Sequence, residues 1–473
     1  MIQHVIENYF QLRDKIKSDR SLLDQTAKYV LENISNFNND INAYIRVYDD
    51  EVLDYARNCE MDKNLSGMMV GLKDLFCYKD HVVEASSKIL QNFTSQINAT
   101  AVQRIIDNGG IIVGHQNCDQ FGMGASNENS YYGPSRNGLD LRKSAGGSSG
   151  GSAVAVQNNM CHVALGTDTG GSVRQPAAFC GIIGFKPTYG RISRYGVIPY
   201  ASSFDTVGFL GKCVEDIALV LENVAGKDDY DCTASDRPVE KYFENLDTVN
   251  LNDVKVAYIK ETLDIEGLQK EIHDSVVSLL NKLQGRGLSV KEKNFKYVDS
   301  LAPVYYIITA AEAAANFARL DGIRYGYRTR EKVDNLEEFV KRNRGEGFGL
   351  EVKKRLLFGN YVLTSEGVLE QAQKVRRIIL NEIDNIFGDC DFIILPTTPT
   401  TAFDLNRQYV SPQESYLTDL FTYLASVCGL PAISIPYGKD DNGLPIGVQI
   451  IGHKFEEQKL LSFSKKILAE VNF

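Results

Sequence analysis

Short apolar runs alternate with amphipathic helical patterns along this chain of 473 residues. In the clearest case, Thr100–Asn108 has apolar residues at helical spacing, is closed by two glycines, and leads into the apolar run Ile111–Gly114. Two more runs, Met68–Leu72 and His162–Leu165, end at a charged residue or a glycine, as buried strands do. Because strands that alternate with helices assemble into helix-covered sheets, the pattern predicts an α/β fold with a mostly parallel or mixed sheet.

The predicted elements extend towards both ends of the chain. Residues 1–60 have apolar side chains at spacings of three and four with charges between them, which indicates a helical N-terminal segment. Ala153–Val156 is typical of the start of a helix built from small residues. Further on, we expect strands at Val254–Ile259 and Phe392–Leu395 and a helix over Gln269–Leu283.

Composition and charge exclude several classes of protein. With 43% apolar and 24% charged residues, the chain has the composition of a globular protein. A net charge of −10 argues against a chain that grips a phosphate backbone by itself, so a nucleic-acid substrate would be held mostly by a partner. The nine cysteines form no C-x-x-C pair, which indicates neither a disulfide framework nor a zinc site. No apolar run is long enough to cross a bilayer and no signal peptide is evident, so we expect a cytoplasmic protein without a membrane association.

The stretch KSAGGSSGGSAVAVQ at Lys143–Gln157 has two interpretations. Its four glycines and four serines between Ser144 and Ser152 are typical of a flexible linker, which would divide the chain near residue 148. However, the run is short, passes straight into an apolar segment, and is followed by a second cluster, GTDTGGS at Gly166–Ser172. Two such loops beside buried elements favour one shared site within one large domain.

The first cluster also matches G-x-S-x-G at Gly147–Gly151, with Ser149 as the nominal nucleophile. That motif requires a strand immediately upstream, whereas Asn137–Lys143 is polar and turn-like. None of the six histidines lies in an informative context, so a Ser-His-Asp hydrolase is disfavoured. A phosphate-binding loop is also disfavoured, because G-x-x-x-x-G-K-[ST] is absent.

The second cluster follows a predicted strand and ends at Ser172. Glycines before a serine let the backbone turn sharply, so that successive N–H groups point at one atom and stabilise an oxyanion. Ser172 is therefore a candidate nucleophile for acyl transfer, and the alternative is that it only caps a helix. A base is still needed, and Lys73 at the end of MMVGL can serve if burial lowers its pKa. Otherwise Lys73 extends to solvent, as lysines at strand ends usually do.

Three segments together resemble the amidase signature family: GLKDLF at Gly71–Phe76, GGSSGGSA at Gly146–Ala153 and GTDTGGSVRQPAAFCGIIGFKPTYGRIS at Gly166–Ser193. The resemblance implies a single α/β domain over residues 1–473, with a mixed central sheet covered by helices and a signature core over about residues 65–210. It also implies a serine–cis-serine–lysine triad and no metal. The triad would be Ser172 as nucleophile, Ser148 as bridging serine and Lys73 as base, with the amides of Thr169, Gly170 and Gly171 forming the oxyanion hole together with Ser172.

The C-terminal half resembles the glutaminase subunits of tRNA-dependent amidotransferases within that family. The resemblance lies in Glu312–Thr329, Arg344–Thr364 and LPTTPTTAF at Leu395–Phe403. It implies glutamine as the substrate, with Arg355 binding the α-carboxylate, Asp419 the α-ammonium, and Tyr305 lining the pocket. The alternative for Arg355 is a solvated helix face, and for Asp419 a surface helix residue.

This resemblance also implies partners. Ammonia released from glutamine would pass to the B subunit of a heterotrimer, which binds tRNA and activates the acyl group with ATP and Mg, while the small C subunit bridges the complex. The chain itself would bind no cofactor and would contact tRNA only through its B partner. The alternatives are a stand-alone amidase with another substrate and a non-catalytic scaffold within the complex.

Overall fold

The computed structural model describes residues 8–407 and 418–470. The strands of these residues are β1 (Tyr44–Val47), β2 (Met69–Lys73), β3 (Ile111–Gln116), β4 (Arg136–Asn137), β5 (Asp140–Ser144), β6 (Val163–Asp168), β7 (Ile183–Lys186), β8 (Thr206–Gly211), β9 (Lys255–Ile259), β10 (Ser289–Lys293), β11 (Phe392–Pro396), β12 (Ala432–Lys439) and β13 (Pro445–Gly452).

The α-helices of the described residues are α1 (Tyr9–Ser18), α2 (Ser21–Ile41), α3 (Asp49–Asn58), α4 (Thr100–Asp107), α5 (Gly150–Gln157), α6 (Arg174–Cys180), α7 (Val214–Val224), α8 (Lys270–Gly285), α9 (Val298–Phe317), α10 (Leu336–Gly347), α11 (Leu350–Thr364), α12 (Val368–Phe387), α13 (Leu420–Cys428) and α14 (Glu457–Glu470). Short 3-10 turns occur at Lys88–Leu90, Gln120–Gly122, Leu251–Asp253 and Lys260–Thr262.

One large sheet organises the fold, with eleven strands in the order β1-β3-β2-β6-β8-β7-β12-β13-β11-β9-β10. The pairs β2–β3, β2–β6, β9–β10 and β9–β11 are parallel, and the remaining pairs are antiparallel. The predicted α/β fold with a mixed, helix-covered sheet is therefore confirmed.

Apolar side chains cover both faces of the sheet centre. Along β2, Val70 and Leu72 belong to the same apolar cluster as Val102 of α4. Met69, which points to the opposite face because side chains alternate along a strand, packs in a second cluster with Ala153 of α5. Burial on both faces explains why β2 and β6 appear in the sequence as continuous apolar runs.

Several predicted elements needed correction. The N-terminal segment is not wholly helical, because α2 ends at Ile41, the next residue Asn42 has a left-handed conformation, and β1 then pairs with β3. Residues 1–7 lie outside the described part. Asn137–Lys143 is not a simple turn, since β4 and β5 pair there as a short hairpin separate from the large sheet. Residues 138–143 are exposed or half-buried throughout, which explains the polar sequence of this segment.

The other predicted elements are present with shifted ends. The strands and helices expected near residues 68, 100, 111, 162, 254, 269 and 392 all form, and α5 begins at Gly150, three residues before the predicted start. Among the described residues, no helix has both the length and the apolar character needed to span a membrane.

Candidate active site

The site lies at the ends of β2 and β6, which are the third and fourth of the eleven strands across the sheet. The two strands are parallel neighbours, with Leu72 opposite Leu165, so Lys73 at the end of β2 lies beside the last residues of β6. The loop before α5 carries Ser148 and Ser149, and α5 packs against both strands. Sheet order therefore brings three segments together that are far apart in the chain.

Lys73 is completely buried and its amine is surrounded by hydroxyl groups. Its Nζ lies 2.7 Å from Ser148 Oγ, 2.9 Å from Ser149 Oγ and 2.9 Å from Thr167 Oγ1. Burial lowers the pKa of Lys73 to about 8, although the nearby Cys118 and three aspartates oppose the shift. The alternative in which Lys73 extends to solvent is wrong.

Hydrogen bonds to its backbone groups hold the loop that carries Ser148. The Gly147–Ser148 peptide is cis. The Gly147 N–H donates to Gln175 Oε1 at 2.9 Å, and the Asp119 N–H donates to the Ser148 carbonyl at 3.2 Å. A Cβ on Gly147 would lie 2.3 Å from Asp119 Oδ2, so only glycine fits at this position.

Ser172 lies at the end of the second glycine loop and is 6% exposed. Its carbonyl accepts a hydrogen bond from the Ser149 N–H at 3.2 Å, which joins the two serine-containing loops. The N-cap of α6 is Val173, so Ser172 is not the cap residue of that helix. The helix-cap alternative for Ser172 is therefore wrong.

The loop residues between β6 and Ser172 are closely packed. Thr169 Oγ1 donates to Asp205 at 2.6 Å. A Cβ on Gly170 would lie 2.7 Å from the Tyr305 hydroxyl, and one on Gly171, whose φ is +147°, would lie 2.1 Å from Thr422 Oγ1. Both glycines are therefore required because neighbouring side chains reach their backbone.

A buried ion pair supports this loop. Arg174 Nη2 lies 2.7 Å from Asp168 Oδ1 and Nε lies 2.9 Å from Oδ2, and both residues are completely buried. Burial alone would raise the pKa of Asp168, but the Arg174 guanidinium keeps it below its ordinary value. Arg174 also donates to Ser426 Oγ at 2.9 Å, which links the loop to α13.

Arg355 projects from α11 with only 13% of its side chain exposed. Its Nε lies 3.0 Å from Glu351 Oε1, its Nη1 donates to the Tyr200 hydroxyl at 2.8 Å, and its guanidinium stacks 5.2 Å from the Tyr306 ring centre. These contacts orient the fork and leave Nη2 without a hydrogen bond to another described residue. The solvated-face alternative for Arg355 is wrong.

Asp419 is also buried, immediately before α13, so the surface alternative is wrong for this residue too. Its Oδ1 has no hydrogen-bond partner among the described residues. Burial, followed by the negative charge of Asp168, raises the pKa of Asp419 to about 8, while Arg174 and Arg355 oppose the shift. Tyr305 stacks on Tyr423 with ring centres 4.4 Å apart.

Four further residues were not singled out from the sequence, although each contacts a predicted site residue: Thr167, Tyr200, Asp205 and Thr422. Thr167 lies inside the second glycine-rich cluster, which was a usable signal. Tyr200, Asp205 and Thr422 lie in segments without a recognisable pattern. Within the two described ranges, no group of three or more His, Cys, Asp or Glu side chains is arranged to hold a metal ion.

The buried lysine, the paired serine loops and the mixed sheet indicate an amide hydrolase with serine and lysine in its active site. The comparison with family models agrees with this class. Residues 25–461 match the family model described as Amidase. The chain belongs to the amidase family.

Individual relatives indicate which kinds of amidase this chain is similar to. The chain is 41% identical to the A subunit of glutamyl-tRNA(Gln) amidotransferase from a Sulfurihydrogenibium species, over 96% of this chain and 95% of the relative. A crystal structure of the A subunit of glutamyl-tRNA(Gln) amidotransferase from Thermotoga maritima superimposes with a TM-score of 0.81 and 33% identity, covering 95% of this chain and 92% of that one. A native peptide amidase from Stenotrophomonas maltophilia matches with a TM-score of 0.77 and 26% identity, covering 94% and 92%.

Proposed function

We propose that this chain is the glutaminase subunit of a tRNA-dependent amidotransferase, which hydrolyses glutamine to glutamate and ammonia. The observation that carries the proposal is the buried Lys73 amine at 2.7 Å from Ser148 Oγ, in a chain 41% identical to the A subunit of a glutamyl-tRNA(Gln) amidotransferase over nearly its whole length. A lysine whose pKa is lowered to about 8 is neutral in a useful fraction of molecules near neutral pH.

In the proposed mechanism, Ser172 Oγ attacks the side-chain carbonyl carbon of glutamine. Its proton passes to Ser148 Oγ while the Ser148 proton passes to the neutral Lys73 amine. The amides of Thr169, Gly170 and Gly171, with that of Ser172, stabilise the tetrahedral oxyanion. Return of the proton to the leaving nitrogen releases ammonia, and water then hydrolyses the ester to give glutamate.

We assign glutamine recognition to the polar groups beside the loop that carries Ser172. Arg355 would bind the α-carboxylate through its oriented guanidinium fork, and Asp419 would bind the α-ammonium through its unpartnered Oδ1. A cation next to Asp419 favours the ionised carboxylate, so substrate binding would satisfy a buried acceptor. Tyr305 would line the pocket next to Gly170.

The proposal includes partners for the later steps. The B subunit would bind tRNA and, with ATP and Mg, activate the acyl group that receives the ammonia, and the C subunit would bridge the complex. The net charge of −10 supports a tRNA held by another chain. All nine cysteines lie in the described residues as free thiols, which supports the expected cytoplasmic location.

A stand-alone amidase is the second candidate, because the fold also matches a native peptide amidase over 92% of that chain. The deciding experiment reconstitutes the chain with its B and C partners and measures glutamine-dependent amidation of glutamyl-tRNA(Gln) and aspartyl-tRNA(Asn). We expect amidation with the wild-type chain and none with Ser172→Ala when glutamine is the nitrogen donor. Hydrolysis of unrelated amides without glutamine-dependent amidation would favour the stand-alone amidase, and full activity of Ser172→Ala would overturn the nucleophile.

A further inference from the structure

The Thr422 hydroxyl connects two parts of the site. Thr422 lies in the first turn of α13 and is completely buried. Its Oγ1 lies 2.6 Å from the Gly170 carbonyl oxygen and 2.8 Å from the Asp419 carbonyl oxygen, so one hydroxyl proton is shared between two acceptors. The loop that carries the proposed oxyanion donors is thereby tied to the segment that carries the proposed ammonium ligand.

Holding the Gly170 carbonyl also orients the next N–H. The Gly170 carbonyl and the Gly171 N–H belong to one planar trans peptide, in which the two bonds point in opposite directions. A carbonyl fixed on Thr422 therefore aims the Gly171 N–H away from α13. The closeness of this contact is evident from Gly171, where a Cβ would lie 2.1 Å from Thr422 Oγ1.

A second bond fixes Thr422 itself. Its carbonyl oxygen accepts a hydrogen bond from Arg174 Nη1 at 2.9 Å, and Arg174 is paired with Asp168 at the start of the same loop. Thr422 is thus bonded to the loop through both its hydroxyl and its backbone. A valine would retain the shape and the backbone bond but lose the contact with Gly170.

We propose that Thr422 is a positioning residue that orients the Gly171 N–H towards the oxyanion, an inference that rests on the proposed glutaminase function. Misplacing one oxyanion donor reduces turnover but not ground-state binding, since the carbonyl oxygen becomes charged only in the transition state. The loss of the hydroxyl should therefore affect kcat rather than KM.

The test compares Thr422→Val with the wild-type chain in the assembled complex, using ammonia release from glutamine. We expect kcat to fall ~10- to 100-fold with KM within ~3-fold, and Thr422→Ser to stay within ~3-fold of wild type. Thr397→Val is the matched control, because Thr397 is also completely buried and its Oγ1 bonds to Ser434 Oγ at 2.8 Å outside the site. If Thr422→Val does not fold, Thr422→Ala serves as the hydroxyl-free variant.

A binding measurement distinguishes a misoriented Gly171 N–H from a general disturbance of the active-site structure. An analogue of glutamine with a boronic acid in place of the carboxamide forms a tetrahedral adduct with a serine, whereas the product glutamate does not. We expect the hydroxyl-free variant to lose ~10- to 100-fold in affinity for the boronic acid and little for glutamate. Unchanged kcat and boronate affinity, or equal losses for both ligands, would overturn the role of Thr422. A wild-type complex without glutaminase activity would instead overturn the proposed function.

Discussion

The Nζ of Lys73 at the end of β2 lies 2.7 Å from the Oγ of Ser148, which is carried by the loop before α5. The same amine is within 2.9 Å of Ser149 and Thr167, so three hydroxyl groups solvate it in place of water. A neutral amine can donate two hydrogen bonds and accept one from a hydroxyl group, so these neighbours can also bond to the unprotonated form.

Replacing Lys73 by methionine should abolish glutaminase activity. The Lys73→Met side chain fills the same buried space but cannot accept a proton, and a positioned general base contributes ~10²- to 10⁴-fold to turnover. Ammonia release by the assembled complex measures the effect, with the thermal unfolding midpoint as a control for folding. Wild-type turnover in a folded Lys73→Met complex would contradict the assignment of the base.

The pH dependence of kcat should follow the ionisation of Lys73. Because burial lowers the pKa of Lys73 to about 8, the neutral base is a minority form below pH 8 and the majority form above it. We expect kcat at saturating glutamine to rise about tenfold per pH unit between pH 6 and 7 and to level off above about pH 9. The pKa of Asp419 is also raised to about 8, so its ionisation should appear in KM, which falls as pH rises. A kcat that is constant from pH 6 to 9 would argue against a lysine base.

Ser148 and Ser149 should differ in their contribution to turnover, although both lie close to Lys73. Ser148→Ala removes the proposed proton relay and should lower kcat by ~10²- to 10⁴-fold. Ser149→Ala removes one hydrogen bond to the amine and should lower kcat by no more than ~10-fold. Parallel kinetics of the two variants test the distinction, and a larger loss for Ser149→Ala would reverse the assignment.

Tyr200 should influence glutamine binding through Arg355. Its hydroxyl accepts from Arg355 Nη1 at 2.8 Å and donates to Thr309 Oγ1 at 3.0 Å, so Tyr200→Phe removes one of the contacts that orient the guanidinium. A hydrogen bond to a charged group contributes ~1.5–3 kcal/mol, and we expect KM to rise ~10-fold with kcat within ~2-fold. Tyr242→Phe is the matched control, because its hydroxyl bonds to Arg191 Nε at 2.7 Å elsewhere in the core. A KM that changes equally in both variants would refute a specific role for Tyr200.

The Asp168–Arg174 pair should be important for stability. Asp168→Asn leaves the Arg174 charge buried without its counter-ion, and breaking such a pair costs ~3–5 kcal/mol. We therefore expect a lower urea midpoint of unfolding. Asp140→Asn is the control, because it breaks the pair with Arg142, whose side chain is 84% exposed, and should produce no measurable change. Equal midpoints for the two variants would contradict this prediction.

The local pattern of the sequence was sufficient for the fold class and for the three motif segments. Strands β2, β3 and β6 were predicted because burial on both faces demands continuous apolar residues, and this demand is visible in a short window. Strand β1 was missed because one buried and three half-buried residues between two helices carry no clear period. The exposed hairpin of β4 and β5 was missed because it buries little apolar surface.

The site residues also divide into those that the sequence pattern predicts and those whose role depends on tertiary contacts. Glycines that allow close backbone approach and serines next to them form motifs because their spacing along the chain is fixed, so Ser172 was a candidate from the pattern of the sequence. Ser148 was assigned only through the family resemblance, since the first motif by itself pointed to Ser149. The burial of Lys73, the Tyr200–Arg355 bond and the Thr422–Gly170 bond depend on strand order and helix packing. Thr422 and Gly170 are 252 residues apart in the chain. Only the tertiary structure decides such contacts, because the free energy that brings two distant segments together comes from packing of the whole core and leaves no local period in the sequence.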